Sequence, residues 1–328
     1  MLLGFDIGGT KCAVILGKLV AVDQMQVIDK VTIPTDRPVY DMIDLLFKNA
    51  DEMLRKNQIA AQQLDGIGIS CGGPLDEKAG IVIAPPNLPG WINIPLVDMT
   101  KAHFGRRTMM INDANAGAVA EWRFGAGKGF NSLIFLTFGT GMGAGLILDG
   151  KLYSGVSGFA GEVGHLRLSE TGPVGFGKAG SFEGWCSGGG IAQIAQTKVR
   201  ERLQVGEHVS FCSSLSNLPQ ITAAQVAEAA YAGDPLAIEI YDTSAEYLGR
   251  ALALLIDILN PEAIILGSIY GRSRQLIQDR MLETAKREAY EASFAACSFI
   301  PIGLGEHIGD VAALTVALMA SESAEAFV

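Results

Sequence analysis

Two glycine-rich stretches carry residues suited to phosphate chemistry. The first is DIGGTKCAVIL from Asp6, and the second is TFGTGMGAGLI from Thr137. In each, an apolar strand enters a glycine turn and leaves as a second alternating strand, the pattern of a β-hairpin. Glycine allows backbone N–H groups to point into such a turn with no Cβ to block an anion. Gly8, Gly9, Thr10 and Lys11 in the first turn, and Gly139, Thr140 and Gly141 in the second, are therefore candidate phosphate contacts. Lys11 could equally be a lysine in solvent. Asp6 ends the strand before the first turn, where a carboxylate can orient hydrated Mg²⁺ or only initiate the turn. Asp113 lies in IND, where a buried strand breaks into a helix. An aspartate there can cap the helix, worth about 1 kcal/mol, or accept a hydroxyl proton as charge develops late in a transfer.

The two hairpins belong to a longer repeat. LDGIGISCGGP (64–74) and PEAIILGSIYG (261–271) each run a buried strand into a glycine turn, later in their respective halves. Gly267 in the second of these joins the candidate nucleotide contacts. Two related lobes, each opening on a phosphate hairpin, imply a nucleotide held in a cleft between duplicated domains. The other common phosphate loops are absent. There is no GxxxxGK[ST] leading into a helix, and GTGMGAG is followed by the strand-like GLILDGKLY rather than by a helix.

The elements that must position these residues are legible in outline. Residues 1 to about 110 read as the first hairpin, a strand in VIDKVTIPT, and an amphipathic helix from Tyr40 to about Arg55. The strand DGIGISC, a loop APPNLPGW, a helix before Arg106 and the strand TMMIND follow. ANAGAVAEWRFG is helical in composition. A second, larger domain over 111–308 carries the second hairpin and a glycine-rich connection at 154–190. It then becomes mostly helical, with amphipathic runs at 191–204 and 222–259. A last helix, 309–326, is expected to rejoin the first domain.

Composition narrows the function classes. The 328 residues are 49% hydrophobic and 18% charged, which implies large cores. A net charge of −10 without a basic block gives no support to nucleic-acid binding. No apolar run is long enough to span a bilayer, and the start MLLGFDIGG lacks the pattern of a signal peptide. Five cysteines with no CxxC pair fit buried thiols in a reducing cytoplasm.

DIGGTK, the paired hairpins, NDANAGAVAEWRFG and GFAGEVGHLRL together resemble the ROK family of sugar kinases and sugar-responsive repressors. The resemblance runs from Asp6 to GDVAALTVAL near the end. It implies a two-lobed α/β fold of the actin/hexokinase-like (ribonuclease H-like) ATPase class. It also implies an ATP- and Mg²⁺-dependent hexose kinase, glucokinase-like and acting at the 6-hydroxyl. Kinases of N-acetylhexosamines, fructose or mannose, and non-catalytic sugar sensors, are the alternatives within the family.

The resemblance makes Asp113 the general base. It makes Asn87, Asn112, Glu162, His165 and Glu183, with Asp113, the sugar contacts, a set that can pair a ring of hydroxyls. Hexose and ATP are the expected partners, and a homodimer is expected by likeness. Repressors of the family place a helix-turn-helix ahead of the kinase-like body, and only five residues precede Asp6, so a DNA-binding role is not expected. Many relatives hold a structural zinc with a histidine like His165 and three cysteines before the glutamate. Here those cysteine positions hold Val174, Phe176 and Ser181. One histidine cannot make a structural site, so no zinc is expected.

Overall fold

The structure of the protein, a computed structural model, describes residues 1–322. Residues 323–326 of the expected last helix lie outside the described residues. The chain begins with β1 (Leu2–Ile7), β2 (Lys11–Ala21), β3 (Gln24–Pro34) and α1 (Val39–Lys56). It continues through β4 (Gly66–Cys71), the short β5 (Leu75–Asp76) and β6 (Ile81–Val82), α2 (Leu96–Phe104), β7 (Thr108–Asn112) and α3 (Asp113–Phe124). Then come β8 (Leu133–Phe138), β9 (Met142–Leu148), β10 (Lys151–Leu152) and a small hairpin of β11 (Val174–Gly175) and β12 (Lys178–Ala179). The helices α4 (Phe182–Cys186), α5 (Gly188–Gln204), α6 (Ala223–Tyr231) and α7 (Pro235–Leu259) follow. The chain ends with β13 (Ala263–Leu266), α8 (Ser268–Glu288), α9 (Glu291–Ala296), β14 (Ser298–Pro301) and α10 (Ile308–Ser321).

Local signals account for the long elements. α1 buries Met42, Ile43, Leu46, Phe47, Ala50, Met53 and Leu54, a stripe at helical spacing. α7 starts where the Asp234 carboxylate accepts the N–H groups of Leu236 and Ala237, with Pro235 at the first helical position. It stops at Asn260, which adopts the left-handed conformation before Pro261. α8 buries Ile269, Tyr270, Ser273, Ile277, Met281, Thr284 and Ala285, also at helical spacing, but two of these are polar and the helix kinks at Ser273. Thus Gly267 leads straight into a 21-residue helix rather than into an open turn.

The first sheet has the order β3-β2-β1-β4-β7, with β2 antiparallel to both neighbours and β4 and β7 parallel to the strand before each. The second has the order β10-β9-β8-β13-β14, in which β13 runs parallel to β8 and β14. Each sheet therefore sets a hairpin on one side of its first strand and two crossover strands on the other. The duplication seen in the sequence is a duplication of topology.

The chain divides into two units. Of the described residues, the first comprises 1–132, 145–160 and 303–322, and the second comprises 133–144 and 161–302. The sequence places a boundary near 110, whereas α3 belongs with the first unit. Within that unit α10 packs against β1, β4, β7 and α3. Its residues from Val311 to Ala320 are all buried, as expected of a helix apolar on every side. Gly68 on β4 permits the approach, since a Cβ there would collide with the backbone of Ala317. All five cysteines are buried and free. No described helix is long and apolar enough to cross a membrane.

Candidate active site

In the first unit, the carboxyl ends of the parallel strands bring the candidate residues together. Asp6 on β1 is paired with Ser70 on β4, and Cys71 on β4 with Asn112 on β7. The hairpin turn follows at once. The Gly8 N–H donates to the Lys11 carbonyl at 3.1 Å and closes it. Among the described residues, the N–H groups of Gly9 and Thr10 meet no protein acceptor, which suits an anion. Gly9 also abuts the loop at 85–93, where a Cβ would strike the carbonyl of Asn87. The structure therefore sets Asn87 against the DIGGTK turn. Burial pushes the Asp6 carboxyl up to about 6, with the charges of Asp113 and Asp310 adding to the effect and Lys30 and Lys11 opposing it.

Asn112 caps α3 by accepting the Ala114 N–H at 2.9 Å, and Asp113 accepts the same N–H at 2.9 Å. Helix capping is therefore shared. The Asp113 residue remains exposed on one side, yet protein crowds its carboxyl, and this desolvation holds it above the usual carboxylate range. The two readings of Asp113 are thus compatible in geometry: it sits at a cap and also keeps an open face near Asp6.

Further residues support this cluster and were not singled out in the sequence. Asp310, at the start of α10, is 4% exposed and pairs with Lys30 Nζ at 2.6 Å. Its neighbour Gly309 lies against Asp6, where a Cβ would come within 2.6 Å of Oδ2. Glu121 on α3, fully buried, accepts the N–H groups of Ala126, Gly303 and Leu304 at about 3 Å and so fixes the chain entering α10.

In the second unit, the turn Gly139–Gly141 is held from outside. The N–H groups of Gly188 and Gly189, in the first turn of α5, donate to the carbonyls of Gly139 and Thr140. Gly267 caps α8 beside β8, and the Ser268 hydroxyl reaches the Phe138 carbonyl at 3.3 Å. The second glycine turn thus lies close to the first turns of two helices, whose N-termini favour negative charge. Among the described residues, the N–H groups of Thr140 and Gly141 meet no protein acceptor. The Glu183 carboxylate accepts the Met142 N–H at 3.0 Å and joins α4 to this turn.

Glu162 precedes the short helical turn at 163–165, and His165 is its last residue. The His165 ring meets Phe176 edge-on at 5.1 Å, and Lys178 Nζ donates to the His165 carbonyl at 2.6 Å. Of the positions that hold cysteines in many relatives, Ser181 is buried and caps α4 through the Gly184 N–H, whereas Val174 and Phe176 are exposed. No group of three or more His, Cys, Asp or Glu arranged for a metal occurs among the described residues.

The ROK family profile matches residues 2–319. The chain belongs to the ROK family. It is 33% identical over 282 residues to a glucokinase of Thermotoga maritima, covering 84% of each chain. It is 29% identical over 294 residues to a xylose repressor of Caldicellulosiruptor bescii, covering 89% of this chain and 72% of that one. A ROK family glucokinase from Streptomyces griseus, solved with glucose and AMPPNP, superposes with a TM-score of 0.76 at 28% identity over 97% of this chain and 99% of that one. The fold of this ROK protein is that mixed α/β fold, the actin-like ATPase class that the sequence motifs imply.

Sequence reading of this ROK protein missed Lys30, Glu121, Gly188 and Asp310. Only GDVAA around Asp310 offered a signal, as an acidic residue entering an otherwise apolar helix. The others act through contacts between distant segments.

Proposed function

We propose that the chain is an ATP-dependent sugar kinase that transfers the γ-phosphoryl group to a hexose hydroxyl, glucokinase-like and acting at the 6-hydroxyl. The observation that carries this reading is Asp113: a crowded carboxyl with one open face, set near Asp6 and the DIGGTK turn. Likeness to glucokinases, one of them solved with glucose and AMPPNP, supports it.

The residues fit a nucleotide with Mg²⁺. Both glycine turns offer unpaired N–H groups where phosphate oxygens can lie, and Asp6 stands beside the first. In this reading Asp6 would hold Mg²⁺ through water, and the ion, when bound, would neutralise charge on the phosphates. Thr10, Lys11, Gly139, Thr140 and Gly141 would orient the phosphates, with Gly267 alongside. Asn112, Asn87, Glu162, His165 and Glu183 would fix the sugar hydroxyls, and positioning supplies much of the rate. Asp113 would take the hydroxyl proton as the bond to phosphorus forms. Its raised affinity for a proton makes it a better base than an unperturbed aspartate.

Likeness to a xylose repressor favours a second reading, a sugar-responsive protein without turnover. An ADP-release assay over free hexoses, pentoses and N-acetylhexosamines separates the two. The kinase reading expects sugar-dependent ADP and a 6-phosphorylated product by NMR. Saturable sugar binding with no ADP above background would favour the sensor.

A further inference from the structure

Glu77 lies just beyond β5, in the segment that follows the turn after β4. Its Oε1 accepts the backbone N–H of Asn112 at 2.8 Å, and Asn115 Nδ2 lies 3.4 Å from the same oxygen. Asn115 is 2% exposed, on the first turn of α3. One carboxylate thus holds both the last residue of β7 and the first turn of α3. Asp113 stands between these two attachment points. The turn Gly72–Gly73 closes over the same junction, where a Cβ at Gly73 would come within 3.2 Å of Asn112 Nδ2. Burial pushes the Glu77 carboxyl above the usual range, consistent with a group drawn out of water to serve the backbone.

We propose that Glu77 is a positioning residue for the phosphoryl-transfer step, fixing the strand-to-helix junction so that the Asp113 carboxyl meets the acceptor hydroxyl. The proposal rests on the kinase reading above. The Asn112 and Asp113 side chains share a single partner, the Ala114 N–H. Without Glu77, the part-buried Asn112 N–H loses its acceptor, and a donor left without a partner favours local rearrangement. A displacement of about 1 Å in a reacting group can cost about 100-fold in rate. Sugar and nucleotide contacts made elsewhere would persist.

The test compares Glu77→Ala with Glu77→Gln. The glutamine carbonyl can still accept from Asn112 and Asn115, and alanine cannot. Glu77→Ala is expected to lower kcat about 10- to 100-fold while KM for ATP stays within about threefold of wild type. Glu77→Gln is expected to restore kcat to within about threefold of wild type. Hydrogen exchange over residues 108–116 should quicken in Glu77→Ala alone. Unchanged kcat in Glu77→Ala overturns the proposal. So does a Glu77→Gln enzyme as slow as Glu77→Ala, which would mean that the charge itself is used. Should the wild-type protein turn over no sugar, the kinase reading fails. The exchange measurement then still decides whether Glu77 orders the junction, and unchanged exchange overturns that as well.

Discussion

The Glu183 carboxylate accepts the Met142 N–H at 3.0 Å, immediately after the second glycine turn. A residue assigned to the sugar therefore also shapes a turn assigned to phosphate. Glu183→Ala removes both contacts, and Glu183→Gln keeps an acceptor for Met142. Hydrogen bonds to charged groups are worth about 1.5–3 kcal/mol, so Glu183→Ala should raise KM for ATP and for sugar, each by about tenfold or more. Glu183→Gln should raise KM for sugar alone. Steady-state kinetics with each substrate varied in turn checks this, and an unchanged KM for ATP in Glu183→Ala would show that the bond does not support the turn.

Asp6 links function to stability. Its proton is held up to about pH 6, above the value of an aspartate in the unfolded chain. The sign follows: its contribution is fully present below about pH 4 and is lost as the pH rises through about 6. In metal-free buffer at pH 7.5, Asp6→Asn should therefore be more stable than wild type. At about 1.36 kcal/mol per pH unit, the gain is on the order of 1–3 kcal/mol. It should shrink towards zero as the pH falls to about 4. Thermal melts in EDTA across that range test this; a wild type more stable than the variant at pH 7.5 would contradict it. The same variant should lose turnover.

The hairpin at 174–179 should need no metal. Ser181 is spent on the cap of α4, and Phe176 packs on His165. Structural zinc typically contributes about 10 kcal/mol or more to folding, so its presence would be conspicuous. Elemental analysis should find far less than one zinc per chain, and a zinc-selective chelator should leave Tm unchanged. Ser181→Ala should instead destabilise by about 1 kcal/mol. Stoichiometric zinc would contradict this account of the hairpin.

What the sequence revealed was whatever is encoded locally. The hairpin turns and the α1 stripe each lie within a few residues and were read, whereas the single amphipathic run read over 222–259 is two helices, with α7 starting afresh at Asp234-Pro235. Asp6 and Asp113 stood out because strand ends followed by glycine or by helix formers mark themselves. α8 did not, because Ser273 and Thr284 interrupt its buried stripe with polar residues and arginines crowd its first turns. Glu77 was invisible for another reason. Its partner Asn112 is 35 residues away, and nothing in PLDEKAG marks a glutamate whose carboxylate is taken by a distant backbone. Gly188 likewise looked like part of a loose glycine run, although it starts α5 and ties down the Gly139 carbonyl.

Asp113 carries the kinase reading most directly. Asp113→Asn keeps the side-chain shape and a carbonyl oxygen to accept the Ala114 N–H, so the α3 cap should survive and Tm should change little. It removes the proton acceptor, whose loss typically costs about 10²–10⁴-fold. The measurement is kcat for ATP-dependent sugar phosphorylation by Asp113→Asn beside wild type, with melting curves on the same samples. A folded variant slowed by at least about 100-fold is the predicted result. A folded variant with near-normal kcat would contradict the assignment and leave Asp113 as a helix cap alone.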